Sequence, residues 1–284
     1  MRFRPITTTG AAEPTPGSDR KTVRLDSTSV IGLLLVAGAA LVAAFVLAPA
    51  ALLRPSDAKL QDDIGRALVE YWRSGSPAFP ARLTTLVDYW FQWHAIKVAI
   101  SALLVIVFAL LATALWQRYL RSRPWYAAVA TAATALTVFA IWVLSVNIQV
   151  MALPLIPLLG LLPGRTADGN LAQVLSEMRE GLTDSASPHA GSPALTVLLG
   201  EVERYYWVTV AISATLMVAT GVASAHFWKR RIASDPSATR VRFMHSTLGV
   251  ITALTACLLL LMTAASAFSA LEPATSLLGV MGAG

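Results

Sequence analysis

Five long stretches without a charged residue constrain the fold of this chain more than any other feature. They span residues 30–53, 98–117, 124–164, 205–228 and 243–271. Each supplies the roughly 20 apolar residues that a helix needs to cross the hydrocarbon core of a bilayer. With 56% hydrophobic and only 13% charged residues, the chain is also too apolar for a soluble domain of 284 residues. We predict an all-α, polytopic membrane protein with five transmembrane helices.

The predicted division of the chain follows these stretches. It comprises a disordered cytoplasmic tail (1–28), a first transmembrane helix (29–53), a first repeat (54–151), a second repeat (152–271) and an extracytoplasmic C-terminal tail (272–284). The N-terminal tail is small, polar and Pro-containing, which is typical of disorder. The first apolar run has 24 residues, whereas signal peptides have apolar cores of about 7–15 residues. A retained anchor is therefore favoured over a cleaved signal peptide.

The third apolar stretch is too long for one helix. Its second part, "ALPLIPLLGLLPG" at 152–164, contains Pro154, Pro157 and Pro163, which remove backbone donors and break helical geometry. A re-entrant loop and a segment at the outer surface both remain open for it. Unsatisfied backbone is costly in lipid, which favours the surface placement.

The distribution of basic residues predicts the orientation. With the N-terminus in the cytoplasm, thirteen of the 22 Lys and Arg residues lie on the cytoplasmic side, in the N-terminal segment and two short loops. Short, positively charged loops stay inside. We therefore expect the N-terminus in the cytoplasm and the C-terminus outside. The pI of 9.8 follows from the same charges, and the chain shows no motif or aromatic-interleaved basic face for nucleic acid.

Two segments of the chain are similar in sequence when Val98 is aligned with Val210. We call the constant number of positions between aligned residues the repeat offset. The stretches at 98–124 and 210–236 agree at ten of 27 positions. Agreement among Ala, Val and Leu is common between membrane helices, but Trp116 with Trp228 and Pro124 with Pro236 are matched as well. This pattern predicts two hairpins of the same design, each with a Trp at the inner interface and a basic turn.

The similarity extends upstream of both hairpins. "LQDDIGRALVEYW" at 60–72 and "LAQVLSEMREGL" at 171–182 each place apolar residues on one helical face. The predicted repeating unit is an outer amphipathic helix, a linker and a transmembrane hairpin. Both copies enter from the same side, so we expect a parallel repeat about an axis along the membrane normal. We also expect the two outer helices to pack together as a cap over the hairpins.

Few residues in the predicted spans suit chemistry. Cys257 is the one cysteine, so there is no intramolecular disulfide or thiolate cluster. His226 and His245 could approach one another across the second hairpin and are the only candidates for a two-His metal site. Because Ala114 and Ala133 stand at their positions in the first repeat, we predict no metal and no cofactor.

His94 is the more interesting histidine. Trp90, His94 and Lys97 share one helical face at the outer interface, and Asn147 and Gln149 lie at a similar depth on the returning helix. These residues predict either a polar pocket in the outer leaflet or an aromatic belt with a snorkelling Lys97.

A family resemblance accompanies these residues. "WFQWHAIKVAIS" at 90–101 resembles a recurrent stretch of the anthrone-oxygenase-like family of small membrane proteins, and "SVNI" at 145–148 is similar to an Asn-containing stretch there. The resemblance implies a four-helix oxygenase with His94 and Asn147 as the polar site residues. The second repeat has Tyr206 and Thr209 at the positions of His94 and Lys97. The Ala-, Val-, Leu- and Arg-rich composition also resembles that of multispanning integral membrane proteins of actinobacteria. This resemblance implies a location in a bacterial plasma membrane.

Large aromatics are concentrated near the predicted outer interface. They are Tyr71, Trp72, Trp90 and Trp93. Aromatic side chains combine apolar area with a polar edge, so they suit lipid headgroups and protein partners alike. We predict an interaction surface at these four residues.

Three functions follow from these features. The first is a non-catalytic accessory or scaffold subunit of an envelope or transport complex, with the lipid bilayer and other membrane subunits as partners. The second is a membrane-embedded oxidoreductase that acts on a hydrophobic substrate at His94. The third is a lipid-binding or carrier protein with its cavity between the repeats. The sequence favours them in that order.

The orientation has a direct test in a background in which Cys257 is replaced by Ser. Because the charge pattern places the second outer loop outside, Ser187→Cys should react with an impermeant thiol reagent on intact cells, and Ser237→Cys should not. Labelling of both positions, or the reverse pattern, would overturn the predicted topology.

Overall fold

The structure is a computed structural model, and it describes residues 27–53, 57–162, 169–184, 186–187 and 189–282. In this part of the chain the backbone forms nine helices and no strand. The helices are α1 (Ser27–Leu53), α2 (Asp57–Ser74), α3 (Ala81–Arg121), α4 (Tyr126–Ala152), α5 (Leu155–Leu159), α6 (Gly169–Thr183), α7 (Pro193–Ala233), α8 (Thr239–Leu271) and α9 (Pro273–Val280). The predicted disordered tail falls outside the described residues as far as position 26.

Five of the helices, α1, α3, α4, α7 and α8, are long and apolar enough to cross a membrane. This confirms the predicted all-α class with five candidate transmembrane helices. Each follows from one of the charge-free stretches, in which a helix satisfies all of its backbone groups internally. The orientation in the membrane stays a prediction.

The helices α3 and α7 are longer than the spans that the sequence predicts. Each has 41 residues, or about 61 Å at the rise of an α-helix, whereas the hydrocarbon core is about 30 Å thick. The predicted linkers are present but short, with residues 75–80 between α2 and α3, because the segments just before the charge-free stretches continue the helix. No Pro or Gly interrupts α3, and Pro193 occupies the first turn of α7, where proline is tolerated. The Ser192 hydroxyl caps α7 by accepting a hydrogen bond from the Leu195 backbone N–H.

The helix bounds follow the repeat offset that relates the two sequence copies. Both ends of α3 and α7 coincide at this offset. These coincidences support the predicted duplication of an outer helix followed by a hairpin. The symmetry axis of the repeat stays a prediction.

The outer helices pack into a single module, which we call the cap: α2, α5, α6, α9 and the N-terminal turns of α3 and α7. Its core includes fully buried side chains from four helices, among them Tyr71, Leu83, Met178 and Leu198. Gly65 of α2 lets the helices approach closely, since a Cβ at this position would lie 3.0 Å from Leu171 Cδ2 of α6. The predicted packing of the two outer helices against each other is confirmed.

Two short helices complete the cap. The Pro/Leu segment forms α5, whose side chains Leu155, Ile156, Leu158 and Leu159 are buried among α2, α6 and α7 residues. The segment after the last hairpin forms α9, which buries Leu277 in the same core. Both segments follow a hairpin directly, so each hairpin is followed by a short helix that docks on the cap. The last segment is therefore an ordered part of the cap as far as residue 282, and no free tail.

Side chains near the turns join the two helices of each hairpin, and one further side chain joins the two hairpins. In the first hairpin, the Trp116 Nε1–H donates to Thr134 Oγ1 at 3.0 Å. In the second, the Ser224 hydroxyl donates to the Gly249 carbonyl at 3.0 Å. Arg240 of α8 connects the hairpins, because its guanidinium donates to the Ser122 carbonyl at 2.7 Å. The helix α1 packs on α3, where the ring of Phe108 lies against Gly38.

Ser187, the predicted labelling position in the second outer loop, is not accessible to a thiol reagent. Ser187 is buried in the loop before α7, where a thiol would be protected from a reagent even on the accessible side. The neighbouring Ala186 is exposed, as is Ser237. Ala186→Cys is therefore the matched probe to Ser237→Cys.

The cap core predicts where the chain is most sensitive to substitution. Leu198 is fully buried in the cap, whereas Leu254 is 61% exposed on the membrane-facing surface of α8. Leu198→Ala should destabilise the protein by about 2–5 kcal/mol, because it removes a packed side chain and leaves a cavity. Leu254→Ala should change stability by less than about 0.5 kcal/mol. Unfolding of the purified protein in detergent measures both effects, and equal losses would contradict the assignment of the core.

Candidate functional site

The candidate site at His94 lies on α3 where this helix leaves the cap. The His94 side chain is only 8% exposed, and its ring packs on Trp90 with a centroid distance of 4.8 Å. The ring Nδ1 lies 3.0 Å from the Trp90 carbonyl oxygen. Because a carbonyl oxygen only accepts, this contact assigns the proton of the neutral ring to Nδ1 and leaves Nε2 as the basic nitrogen.

Lys97 lies one turn further along α3. Its Nζ is 5.3 Å from the ring centroid of Phe45 on α1 and 5.5 Å from that of Trp93. Both distances are within the range of cation–π attraction. Lys97 thus links α1 to α3 at this level through aromatic contacts.

Asn147 is buried on α4, but it is bonded within its own helix. Its Nδ2 donates to the Val143 carbonyl at 2.7 Å. His94 likewise pairs with a carbonyl one turn earlier on α3, and among the described residues neither side chain bonds to the other. The structure therefore orders both residues without joining them through a hydrogen bond.

The sequence did not indicate two polar contacts near the middle of the bundle, one between the hairpins (α4 with α7) and one within the second hairpin (α8 with α7). The Gln149 amide of α4 donates to the Thr209 hydroxyl of α7, and the Thr263 hydroxyl of α8 donates to Ser213 at 2.8 Å. We call these four residues the polar seam. It encloses a cavity of about 10 Å³, which is at the lower limit for one water molecule. The seam thus packs α4, α7 and α8 together, and the space beside Gln149, Thr209 and Ser213 has no room for a substrate.

The sequence contained one indication of the buried contact at Ser213. Both copies begin "VAIS", which places Ser101 and Ser213 at corresponding positions. These serines are 0% and 1% exposed, and each donates to the carbonyl four residues earlier. A serine at the same position of both apolar copies marks a buried helix contact, because its small side chain allows close packing.

The two histidines of the second hairpin have other partners. His226 Nε2 accepts a hydrogen bond from Arg230 Nε at 2.8 Å, and the His245 ring stacks on Phe227 at 6.3 Å. In the described part of the chain, no group of three His, Cys, Asp or Glu side chains is placed to hold a metal. The structure therefore gives His226 a basic neighbour, which disfavours a bound cation there.

The predicted aromatic interaction surface is wrong for two of its four residues. Tyr71 is 0% and Trp72 is 8% exposed, because the apolar face of α2 turns inward onto α6 and α7. The Tyr71 hydroxyl donates to the Ala194 carbonyl at 3.3 Å, and burial raises the pKa of Tyr71 to about 12. The Trp72 Nε1–H donates to Glu177 Oε2 at 2.8 Å. Both residues hold the cap together.

The other two residues lie at the base of the cap. Trp90 packs beside α2 and α5, and within the described residues its buried Nε1 has no hydrogen-bond partner. Trp93 is partly exposed next to Lys97. Two exposed rings near the cap are those of Phe91 on α3 and Trp207 on α7, which are 46% and 44% exposed.

The fold defines the class of the protein as a multi-pass helical membrane protein with a compact helical cap. Comparisons with protein families, with characterised proteins and with solved structures find no match to the chain. The resemblance to the anthrone-oxygenase-like family therefore depends on the quoted stretches alone.

The contact between Trp72 and Glu177 predicts a dependence of cap stability on pH. The hydrogen bond from Trp72 holds the pKa of Glu177 below its ordinary value of 4.5. Because the pKa of Glu177 is lower in the folded state, the ionised carboxylate stabilises the fold at pH values above 4.5. This stabilisation is lost as the pH falls through the folded-state pKa of Glu177. Trp72→Phe should therefore lower the melting temperature at pH 7, and part of its effect should vanish as the pH is lowered below 4.5.

Glu177→Gln is the matched control for this experiment. In that background no carboxylate titrates at the contact, so the effect of Trp72→Phe should be the same at pH 7 and in acid. A pH-independent effect of Trp72→Phe in the parent protein would show that Trp72 acts through packing alone.

Proposed function

We propose that the protein is a non-catalytic scaffold of a bacterial plasma membrane, an accessory subunit of an envelope or transport complex with its N-terminus in the cytoplasm. The observation that supports this most directly is the continuity of α3 and α7, which run without a break from the hairpin turns into the cap. A helix of this kind fixes the position of the cap relative to the bilayer. A partner that binds the cap is thereby held at a defined height and angle.

The exterior of the cap suits an aqueous surface. Its ion pairs join exposed side chains, including Arg66 with Asp63 and Arg82 with Glu70. Exposed pairs of this kind add little stability, so the rigidity of the cap comes from its apolar core. A polar, rigid module on continuous membrane helices is typical of a docking platform and supports the proposal.

The base of the cap offers the more specific contact region. Phe91 and Trp207 are exposed there on α3 and α7, and a cavity of about 610 Å³ lies beside Trp207 between α4 and α7. Glu203 and Arg204 line the same cavity. Exposed aromatics next to charged groups favour binding of a membrane-anchored partner at this level.

The oxidoreductase and lipid-carrier alternatives need larger sites than the ones at the predicted residues. His94 is packed on Trp90 and Asn147 is bonded to its own helix. The seam between the hairpins encloses space for at most one water. Both alternatives remain as outcomes of the test below.

The proposal predicts that association depends on the aromatics at the base of the cap. Phe91→Ala and Trp207→Ala should each weaken association with a partner subunit by about fivefold or more, since aromatic anchors at interfaces are worth about 1 kcal/mol or more. Chemical cross-linking in native membranes, followed by quantitative mass spectrometry of the adducts, measures this. Leu258→Ala, at a 67% exposed site on α8, is the control and should leave the adducts unchanged.

His94→Ala separates this function from the enzymatic one. The scaffold proposal expects normal association and no loss of a measurable oxidation in this variant. If His94→Ala abolishes oxidation of a hydrophobic quinol or phenol in membranes while the aromatic variants have no effect, the oxidoreductase function replaces the scaffold. A stoichiometric lipid between the hairpins would favour the carrier.

A further inference from the structure

The cavity of about 610 Å³ between α4 and α7 is open to the outside beside the Trp207 ring. We call it the α4–α7 recess. The residues that line it include the small Ala152, Gly200 and Ala211 and the charged Glu203 and Arg204. Because the small side chains leave the space free, the recess has ample room for an aromatic ring.

The two charged residues of the recess are adjacent in the chain and opposite in sign. Arg204 Nη1 donates to Glu201 Oε1 at 2.8 Å, and the Arg204 side chain is still 72% exposed. Glu203 forms no hydrogen bond or ion pair with any residue that the structure describes. A guanidinium has five N–H donors, so Arg204 can bind a second carboxylate while it stays bonded to Glu201. The recess thus presents an acid and a base that can each bind an opposite charge.

The sequence gives the level of these residues relative to the apolar part of α7. The charge-free stretch begins at position 205, directly after Arg204. Glu203 and Arg204 therefore lie where the apolar stretch meets the cap, and Trp207 lies within its first turn. A ligand of the recess contacts charged groups at one end and apolar groups at the other, as a neighbouring membrane protein at this level does.

A second copy of the chain has the charges that match this recess. Copies of a membrane protein insert in the same direction, so a closed pair has its two-fold axis along the membrane normal, and equal residues lie at equal height. Glu203 and Arg204 differ in height by only about 1.5 Å, the rise of one residue in a helix. Across such an axis, Glu203 of each copy faces Arg204 of the other.

The Trp207 ring and the recess match each other in the same way. The ring is exposed at the edge of the recess, and both lie on the same face of α7. The ring of each copy can therefore enter the recess of the other. A two-fold interface requires such a self-complementary surface. Close packing and paired polar groups are also the interactions that join helices in a bilayer, where apolar area alone gives little preference over lipid.

We propose that the α4–α7 recess is the interface of a homodimer, in which Trp207 of each copy enters the recess of the other and Glu203 pairs with Arg204 in both directions. This inference rests on the proposed function, because it names a second copy of the chain as the membrane-anchored partner at one of the two exposed aromatics. The other aromatic, Phe91, stays available to a different subunit.

The first hairpin provides an internal contrast. At the repeat offset, the residues that correspond to Glu203, Arg204 and Trp207 are Phe91, Gln92 and Ala95. The corresponding face of α3 therefore has neither the charge pair nor the tryptophan. The proposed contact is specific to α7, and the same level of α3 supplies its control positions.

The test measures energy transfer between full-length copies in phosphatidylcholine vesicles, labelled through Ala186→Cys in a Cys257→Ser background. This parent should dimerise. Glu203→Arg and Arg204→Glu should each weaken self-association about tenfold or more, because each places like charges across the two-fold axis. A mixture of the two variants should regain it, since one copy then carries two bases and the other two acids. Lipid binding and misfolding do not produce this recovery.

The aromatic contact has its own variant and control. Trp207→Ala should weaken self-association about 25-fold, since about fivefold or more is lost at each of two equivalent rings. Phe91→Ala removes a ring that is exposed to nearly the same extent on α3. This control should leave self-association unchanged.

A cross-link tests the interface if the charge variants do not fold. A Cβ at Gly200 meets no other atom within 4 Å, so Gly200→Cys is tolerated. In membranes treated with copper phenanthroline, its thiol should form a disulfide with the same residue of a second copy. Asp88→Cys, at the corresponding position of α3, should not.

Four results would overturn the dimer. They are a monomeric parent, charge variants that self-associate as the parent does, a mixture of these variants that does not recover, and equal cross-linking through Gly200→Cys and Asp88→Cys. A monomer that retains a stoichiometric lipid at Trp207 would assign the recess to that lipid instead.

Failure of the dimer is distinct from failure of the scaffold. If the parent is monomeric while Phe91→Ala still removes adducts with another subunit, only the dimer is wrong. If the parent dimerises as expected and forms no adduct with another subunit in native membranes, the dimer stands and the accessory function is wrong.

Discussion

The need to satisfy every backbone N–H and C=O within a bilayer is the constraint on which this structure depends. A helix meets this need within one segment, and in α3 and α7 nothing in the sequence stops the helix where the hydrocarbon ends. The charged and aromatic residues before Val98 and Val210 are compatible with helix, so α3 and α7 continue beyond the apolar stretches into the cap. The cap is the consequence, because the projecting ends of α3 and α7 give the amphipathic helices α2 and α6 an apolar surface to cover.

The polar side chains within the membrane part obey the same constraint. Many Ser and Thr hydroxyls donate to the carbonyl four residues earlier, as Thr113, Thr137 and Thr255 do. Such bonds satisfy the hydroxyl without a second helix. Gln149 is different, because its longer amide side chain reaches Thr209 on the other hairpin. The hairpins are thus joined by a polar contact in a region where apolar surfaces have little preference for each other over lipid.

The sequence was sufficient for the five spans, because the absence of charge over a bilayer's length is a local property. It was also sufficient for the pairing of α2 with α6, since each displays a one-sided apolar face. It failed for Tyr71 and Trp72, which were expected on the surface and lie in the core of the cap. Aromatic composition does not distinguish an interface from an interior, and the partner of the face, α7, is distant along the chain. The docking of α5 and α9 was missed for the same reason, as was the contact of Gln149 with Thr209.

The two segments that are similar in sequence share packing and differ in their contacts with α1. The buried Ser101 and Ser213 occupy corresponding positions with the same bonds, so packing is shared. Lys97, by contrast, corresponds to Thr209, and Lys97 is the residue that contacts α1 through Phe45. At the opposite end of α3, Arg121 lines a space of about 410 Å³ together with Val30 and Ile31 of α1, and it corresponds to Ala233. Both departures from symmetry therefore occur on α3 where it meets α1, the helix outside the duplication. A helix that packs on only one of two similar hairpins makes their surroundings inequivalent, and α1 therefore gives α3 contacts that α7 does not have.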